Sequence, residues 1–371
     1  MPEDPVKMSE LSPEDRERLT LTGLEVEMKN REGSFFQVDQ EIRQWTSLNE
    51  GIEILPIHEA LRKYDWLSGY SWNLVKKDKD QYTKYVADQP EPRGFVIIAR
   101  KGSKTIYPLQ ACLFLARSPV QHVHNIIIAE EGAELHIISG CASASYTKTG
   151  SHIGVSEFYV GRGARITSTM IHNWGEEISV FPRSAARVEE DGVFISNYVC
   201  MQPVRKVQMA PFVDLAGRNA IARFSSIVVC TQGSYMDLGS VARLAAEGSG
   251  AELVTRAITT GGTIISRGMI EGAARHTKGH IECRGLILRD GVIHAIPEIK
   301  GDVVDTELSH EAAVGKIARD EIEYLMSRGL DEDVATATII RGFLDVRIAG
   351  LPDALQAQID AAIDSAEKSG F

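Results

Sequence analysis

The sequence predicts a mainly β protein whose long central part is a β-helix flanked by helical segments. From Gly94 to about Pro297 the chain consists of short β-branched or alternating runs. These are GFVIIAR, HNIIIAEEG, AELHIIS, GVFISNYVC, FSSIVVC, GTIISRG, GHIECRGLIL and GVIHAI, each broken from the next by Gly-containing turns. The turns bear a loose likeness to one another at irregular intervals: EEGAEL at Gly132, GRGARI at Gly163, EEDGVF at Gly192, GSGAEL at Gly250 and KGHIEC at Gly279. Their spacing, roughly 25 to 33 residues, is that of a solenoid rung. No long helical period intrudes. A β-helix, each rung adding strands to stacked parallel sheets, suits strands so short and so numerous. A β-sandwich is the competing architecture, and spacing alone does not separate the two.

The flanks read differently. Ser12-Pro13-Glu14-Asp15 supplies an N-cap, a proline at the first helical position and acids in the first turn, so a short helix should follow. After FFQVDQ, the segment PIHEALRKYDWL spaces Ile57, Leu61 and Tyr64 as an amphipathic helix does. The charged KKDKDQ and the DQPEPRG around Pro90 and Pro92 read as loop and linker, because proline interrupts both helix and ladder. At the other end IARDEIEYLMSRG keeps Ile317, Ile322, Leu325 and Met326 near one face and stops at Gly329. Asp331 caps a second helix, DEDVATATIIRGFLDV, and Pro352 starts a third, LPDALQAQIDAAIDSAEKSG. These readings divide the chain into an N-terminal helical and mixed region, 1–93, a β core, 94–308, and a C-terminal helical part, 309–371.

Composition limits the function classes. A chain of 371 residues that is 43% hydrophobic buries a substantial core. Lys+Arg 40 against Asp+Glu 51 gives a net charge of -11, which argues against a nucleic-acid or anionic-membrane partner. No apolar run approaches the roughly 18 residues of a membrane span. MPEDPVKMSELSPEDRER lacks the basic start and apolar stretch of a secretory signal, so a cytoplasmic address is expected. Five scattered cysteines (Cys112, Cys141, Cys200, Cys230, Cys283) without a CxxC fit that address and form neither a disulfide framework nor a local zinc site.

The stretch ELSHEAAVGKI carries a His-Glu pair, His310 and Glu311, where the β region gives way to the tail. It is not a zinc-protease helix, since HExxH would need a second His where Val314 stands. Nor is Gly315-Lys316 a phosphate loop, because the leading Gly position holds His310. In GHIECRGLIL, strand alternation sends Ile281 and Cys283 to one face and His280, Glu282 and Arg284 to the other. His276, His280 and Cys283 therefore do not form a local cluster. Taken alone, Cys283 reads as a buried thiol packing as a small hydrophobe. Cys283 and His310 are separated by about one rung, and equivalent positions on neighbouring rungs stack about 4.8 Å apart. A thiolate, an imidazole and a carboxylate together suit iron or zinc. His310 and Glu311 would share a site only where the strand ends and turns into the coming helix. His122 and His124, in QHVHN, have no third ligand at a recognisable spacing and read as surface or strand-end residues. There is no GxSxG and no GxGxxG after a strand.

With these residues in place, the chain resembles the SufB/SufD family, the scaffold components of the SUF iron–sulfur cluster assembly system. The likeness is strongest from Gly279 to Val346, where KGHIECRGLIL, IHAIPEI, ELSHEAAVGKI, DEIEYLMSRGL and IIRGFLDV follow in the family's order. MIHNW, at Met170 to Trp174, extends it back through the β region. The resemblance implies a right-handed parallel β-helix core and a dimer of two such cores, a self-pair or a pair with a SufB/SufD paralogue. It also implies a SufC-type ABC ATPase docked on each C-terminal helical segment, a sulfur donor and apo-protein acceptors.

Residue by residue, the family's cluster-site Cys matches Cys283, and its His-Glu matches His310 and Glu311. Those positions lie near the dimer interface, so ligands from both protomers are expected to hold a transiently assembled iron–sulfur cluster. Nothing in the sequence indicates a flavin. One departure concerns sulfur entry: SufB proteins carry a further Cys shortly after NW, and here VFPRSAARVEED follows, with Ala185, Ala186 and Arg187. A minimal, archaeal-type system in which one such protein pairs with itself would suit a chain holding both Cys283 and His310-Glu311. The chain has no nucleotide loop, so ATP hydrolysis would be a partner's. The tail helices, packed through Ile322, Leu325 and Ile339, leave Arg319, Glu323, Tyr324 and Phe343 as docking candidates. The alternative from another class is a β-helical carbohydrate-active enzyme, which would need an aromatic-lined groove from a chain only 7% aromatic.

Overall fold

The computed structural model describes residues 11–24 and 31–344. Helix α1 (Pro13–Thr20) starts as its cap predicts, with Ser12 Oγ accepting the Asp15 N–H at 3.1 Å. Strands β1 (Gly33–Val38), β2 (Glu41–Ser47) and β3 (Ile52–Pro56) come next, then helices α2 (Ile57–Lys63) and α3 (Gln81–Ala87). The strands resume with β4 (Phe95–Ala99), β5 (Leu109–Leu115), β6 (Val120–Ala129), β7 (Glu134–Ser143), β8 (Thr149–Val160) and β9 (Arg165–Asn173). They continue through β10 (Glu177–Val180), β11 (Arg183–Val188), β12 (Val193–Cys200), β13 (Lys206–Met209), β14 (Phe212–Leu215) and β15 (Ile221–Cys230). The last are β16 (Tyr235–Leu244), β17 (Gly250–Thr259), β18 (Thr263–Gly272), β19 (Thr277–Ile287), β20 (Val292–Gly301) and β21 (Thr306–Gly315), followed by α4 (Arg319–Ser327) and α5 (Glu332–Leu344).

These strands wind into a parallel β-solenoid of about 8 turns with terminal helices. One sheet runs β2-β1-β5-β7-β9-β12-β15-β17-β19-β21. The second runs from β3 and β4 through β6, β8, β11, β14 and β16 to β18 and β20, with β10 and β13 bridging β8 to β16. Pairing is parallel throughout except β1–β2 and β3–β4, which are antiparallel. Between the sheets lies a continuous apolar core, from Phe35 and Ile97 at one end to Ile281 and Cys283 at the other. The β-sandwich alternative is thereby excluded.

Seven successive turns of the solenoid pass one corner through a residue in the left-handed region. These are Gly102 (φ 70°), Gly132 (68°), Gly163 (62°), Asp191 (53°), Asn219 (56°), Gly248 (74°) and His276 (58°). The N–H of each donates to the carbonyl just before the next corner: Gly132 to Arg162 at 2.9 Å, Asp191 to Arg218 at 2.9 Å, Asn219 to Glu247 at 3.0 Å, His276 to Asp305 at 2.7 Å. The next residue is small and buried at Ala133, Ala164, Ala220, Ser249 and Thr277, so the chain turns straight into the core. Gly192, Gly250 and Gly279, expected as the turn residues, lie just past the corners at Asp191, Gly248 and His276.

The sheets extend beyond the expected 94–308 core on both sides: β1 pairs β5 and β3 pairs β4, while β21 runs on to Gly315. Between KKDKD and DQPEPRG stands α3, which the loop reading overlooks. Asp80 caps it by accepting the Tyr82 and Thr83 N–H groups, each at 2.9 Å. At the far end α5 lays Ile340 and Leu344 on an apolar stripe of the first sheet's outer face, made by Ile171, Val199, Ile227, Ile258 and Leu286. The expected third tail helix lies outside the described residues.

An added Cβ at Gly163 would meet nothing within 4 Å, so only the backbone conformation decides the cost of substitution there. Gly163→Asn should stay within about 0.5 kcal/mol of the parent, whereas Gly163→Val should lose about 1–2 kcal/mol, read from the urea midpoint. Equal midpoints for the two variants would show that this corner does not demand a left-handed residue.

Candidate functional site

The two final described strands, β20 and β21, are exposed along most of their length, because among the described residues no further rung follows them. Strand alternation places Ile281 and Cys283 inward, 0% and 3% exposed, as the sequence predicts. In register, Ile281 pairs with His310, Glu282 with Glu311 and Cys283 with Ala312. His310 therefore stands over Ile281 on the inner side of the sheet, diagonal to Cys283 rather than stacked on it. Glu311 faces the outer side with Glu282.

The expected turn at His310 and Glu311 is absent, since β21 carries both in mid-strand. Strand parity thus brings Cys283 and His310 to one face and leaves Glu311 on the other. Among the described residues no group of three or more His, Cys, Asp or Glu is gathered as a metal site would be.

The environments of these groups differ. Burial pushes the Cys283 thiol up, offset in part by Ser266, whose hydroxyl donates to Sγ at 3.7 Å. A metal taking this sulfur must displace its proton. His280, on the outer face, bonds Ser309 Oγ through Nδ1 at 2.8 Å. Glu311 accepts from Arg284 Nη2 at 2.9 Å, and Arg284 Nε bonds Glu282 Oε1 at 2.7 Å. Arg256 Nη2 bonds the same Glu282 oxygen at 2.8 Å. This chain of four charges across β17, β19 and β21 left no motif in the sequence. Its only signal was the recurrence of charge at outward positions one rung apart.

The docking candidates are scattered in role. Arg319 is tied to Glu323 at 3.1 Å and to Glu332, joining α4 to α5. Tyr324 is 58% exposed, with the Arg328 guanidinium 5.2 Å from its ring centre. Phe343 is half-buried against the apolar stripe under α5. Ile340, rather than Ile339, is the buried anchor of that helix. Helix α4 buries none of its residues.

His122 and His124 are not surface residues. They are buried in β6, whose outer face is covered by the segment that folds back over the second sheet. His124 Nε2 pairs with Glu157 Oε2 at 2.8 Å, and this fully buried carboxylate also accepts the N–H groups of Trp72, Leu74 and Val75. Alternation predicts an outward position for these His side chains but not the cover laid over it.

Inside the solenoid, His152 Nδ1 donates to Gln121 Oε1 at 2.9 Å, and His172 Nδ1 meets the Tyr198 hydroxyl at 3.0 Å. A cavity of about 50 Å³ beside them, lined by Ser156, Ser168 and Ser196 among others, is large enough for water.

The fold defines a parallel β-solenoid whose first end is finished by antiparallel strands and whose last described strands, β20 and β21, are exposed and carry His310 and Glu311 beside Cys283. Residues 114–343 match the family model described as SUF system FeS cluster assembly, SufBD core domain. The chain is 47% identical over 355 residues, 95% of each sequence, to an iron–sulfur cluster assembly SufBD family protein of Archaeoglobus fulgidus. It is 43% identical to one of Methanothermobacter thermautotrophicus, over 99% of this chain and 91% of the other, and 31% identical to one of Pyrococcus horikoshii, over 100% and 85%. The chain belongs to the SufBD family, a scaffold-type component of iron–sulfur cluster assembly. Among the described residues no helix is long and apolar enough to cross a membrane.

Burial lowers His152 to about 3, with His122 nearby adding to the effect, and lowers His172 well below the usual range. Both stay neutral in the fold and take up a proton in the unfolded chain near pH 6.5. Their stabilising contribution is full above that pH and is lost as pH falls below it, for His152 down to about 3. Between pH 7.5 and 5 His152 costs about 2 kcal/mol, and His172 acts in the same direction. The urea midpoint should therefore drop from pH 7.5 to pH 5, and His152→Gln should flatten the drop. An unchanged slope in that variant would show that His152 titrates normally.

Proposed function

We propose that two copies, or one copy and a paralogue, join at their open ends and hold a nascent iron–sulfur cluster as cargo. Cys283 supplies a thiolate, His310 an imidazole nitrogen and Glu311 a carboxylate oxygen. The carrying observation is that Cys283 and His310 share one side of adjacent strands at the uncovered end. Glu311 faces away from them, so the ligand set closes only when a second edge supplies the missing side. Strand β21 is the better pairing edge, because β20 carries Pro297, which has no N–H for a ladder.

Energy for assembly comes, in this reading, from an ABC-type ATPase docked on the exposed α4. A sulfur donor and apo-protein acceptors complete the cycle. The donor delivers without a cysteine at Ala185 to Arg187, which here lie in β11. The soft thiolate and imidazole favour iron, and the carboxylate makes the set weak enough to give the cluster up.

Anaerobic reconstitution with iron and sulfide should give charge-transfer absorption. Cys283→Ser and Glu311→Ala should each lower bound iron severalfold, and unchanged iron in both would remove the site assignment.

Docking calls for a point variant, because removing α5 would uncover the apolar stripe it packs on. Tyr324→Ala should weaken co-purification with a SufC-type ATPase about tenfold or more, as loss of an exposed aromatic anchor does, while the circular dichroism is retained. Undiminished co-purification would place the docking surface elsewhere.

A further inference from the structure

The outer face of the first sheet ends in two neighbouring columns of side chains. One holds Val254, Glu282 and Glu311 on β17, β19 and β21; the other holds Arg256, Arg284 and Ala313 on the same strands. Charges cross between the columns as a staircase, Arg256 to Glu282 to Arg284 to Glu311. Within it Glu282 sits between two guanidinium groups and is only 15% exposed. Glu311, 53% exposed, has one. The place where the next arginine would stand belongs to Ala313. The staircase therefore stops on a carboxylate held by Arg284 on one side and left without a cation on the other.

We propose that Arg284 is a positioning residue that sets how tightly Glu311 grips iron, by holding this carboxylate and competing with the metal for it. The inference rests on the reading of Cys283, His310 and Glu311 as the cargo site. Two effects of Arg284 oppose each other. Its bond orders the Glu311 side chain, which helps a metal bind. Its charge repels a divalent ion only a few ångströms away and occupies one carboxylate oxygen. The repulsion is the larger effect at such range, because it acts on two charges of the metal, while ordering concerns one side chain. Glu282 and Arg256 tune the competition. By sharing Arg284, Glu282 keeps that guanidinium from committing wholly to Glu311. When iron takes Glu311, Arg284 keeps a partner and is not stranded; when the cargo leaves, Arg284 recaptures the carboxylate.

The sign of the effect separates this role from a structural one, since losing a merely structural residue loosens a site. Anaerobic titration of the full chain with Co(II), followed by its ligand-field and thiolate charge-transfer bands, provides the test. Arg284→Gln should bind Co(II) about threefold to tenfold more tightly than the parent. Arg284→Lys, which keeps the charge, should stay near the parent, and Glu282→Gln should bind more weakly. Binding by Arg284→Gln that is equal or weaker overturns the proposal, provided Glu311→Ala still loosens Co(II). If Glu311→Ala changes nothing, the site reading itself fails and takes the proposal with it. Because Arg284 is 44% exposed, its variants should keep the parent's circular dichroism, and the Lys variant controls for any that do not.

Discussion

The fold depends on one repeated interaction, the N–H of a left-handed corner residue reaching the carbonyl before the next corner. A parallel sheet cannot close its own turns, so every rung must reverse direction at positions where backbone groups would otherwise be buried without partners. The corner solves both needs at once. A positive φ makes the bend, and the freed N–H bonds the adjacent rung, as at Gly132 to Arg162 and Asn219 to Glu247. Because each bond points to the next turn, rung height and register are set together. Asn219 Nδ2 adds a side-chain link to Asp191 Oδ1 at 3.1 Å along the same corner.

A solenoid built this way has no intrinsic end, and the chain treats its two ends oppositely. At the first, the antiparallel strands β2 and β3 finish the two sheets, and the short connection between them crosses from one to the other. At the last, β20 and β21 stand exposed. The described tail helices do not cover them, since α5 turns back along the outer face. An open strand edge is ordinarily an aggregation hazard, which proteins blunt with charge or proline. Here β20 has Pro297 and β21 has Glu307 and Glu311, so indiscriminate pairing is opposed while the edge stays free.

Much of this was legible in the sequence. The strand runs from GFVIIAR to GVIHAI all became strands, and period-two alternation placed Ile281 and Cys283 inside. The repeat was harder to see because glycine is only one occupant of a left-handed corner. Asp191, Asn219 and His276 take the position too, with Asp and Asn able to bond locally, so a search for glycine skips turns and mistakes neighbouring glycines for corners. The exact stacking of Cys283 and His310 was beyond reach for the same reason: rung length must be known to the residue, and a shift of two changes which residues touch. The buried His122 and His124 failed for a different cause. Their cover is supplied by Trp72 over His124 and Tyr85 over His122, distant in sequence, and no local pattern records a long-range lid.

In the proposed site, the division of Cys283 and Glu311 between opposite faces of the neighbouring strands β19 and β21 has a chemical consequence. Cys283, buried and with its thiol pushed up, stays protonated until a metal arrives, so loading must release a proton and grows more favourable as pH rises. Glu311 is 53% exposed and is held from one side by Arg284, with which a metal would have to compete. On the reading of these groups as the cargo site, a buried, proton-coupled sulfur ligand is joined to an exposed carboxylate. On that reading the cargo would be gripped through sulfur and let go through the carboxylate. That asymmetry comes directly from strand parity, because adjacent positions such as His310 and Glu311 can never share a face of a regular strand. An edge strand is the one place in a sheet where side chains of opposite parity can still serve a common ion, provided a second edge completes the set.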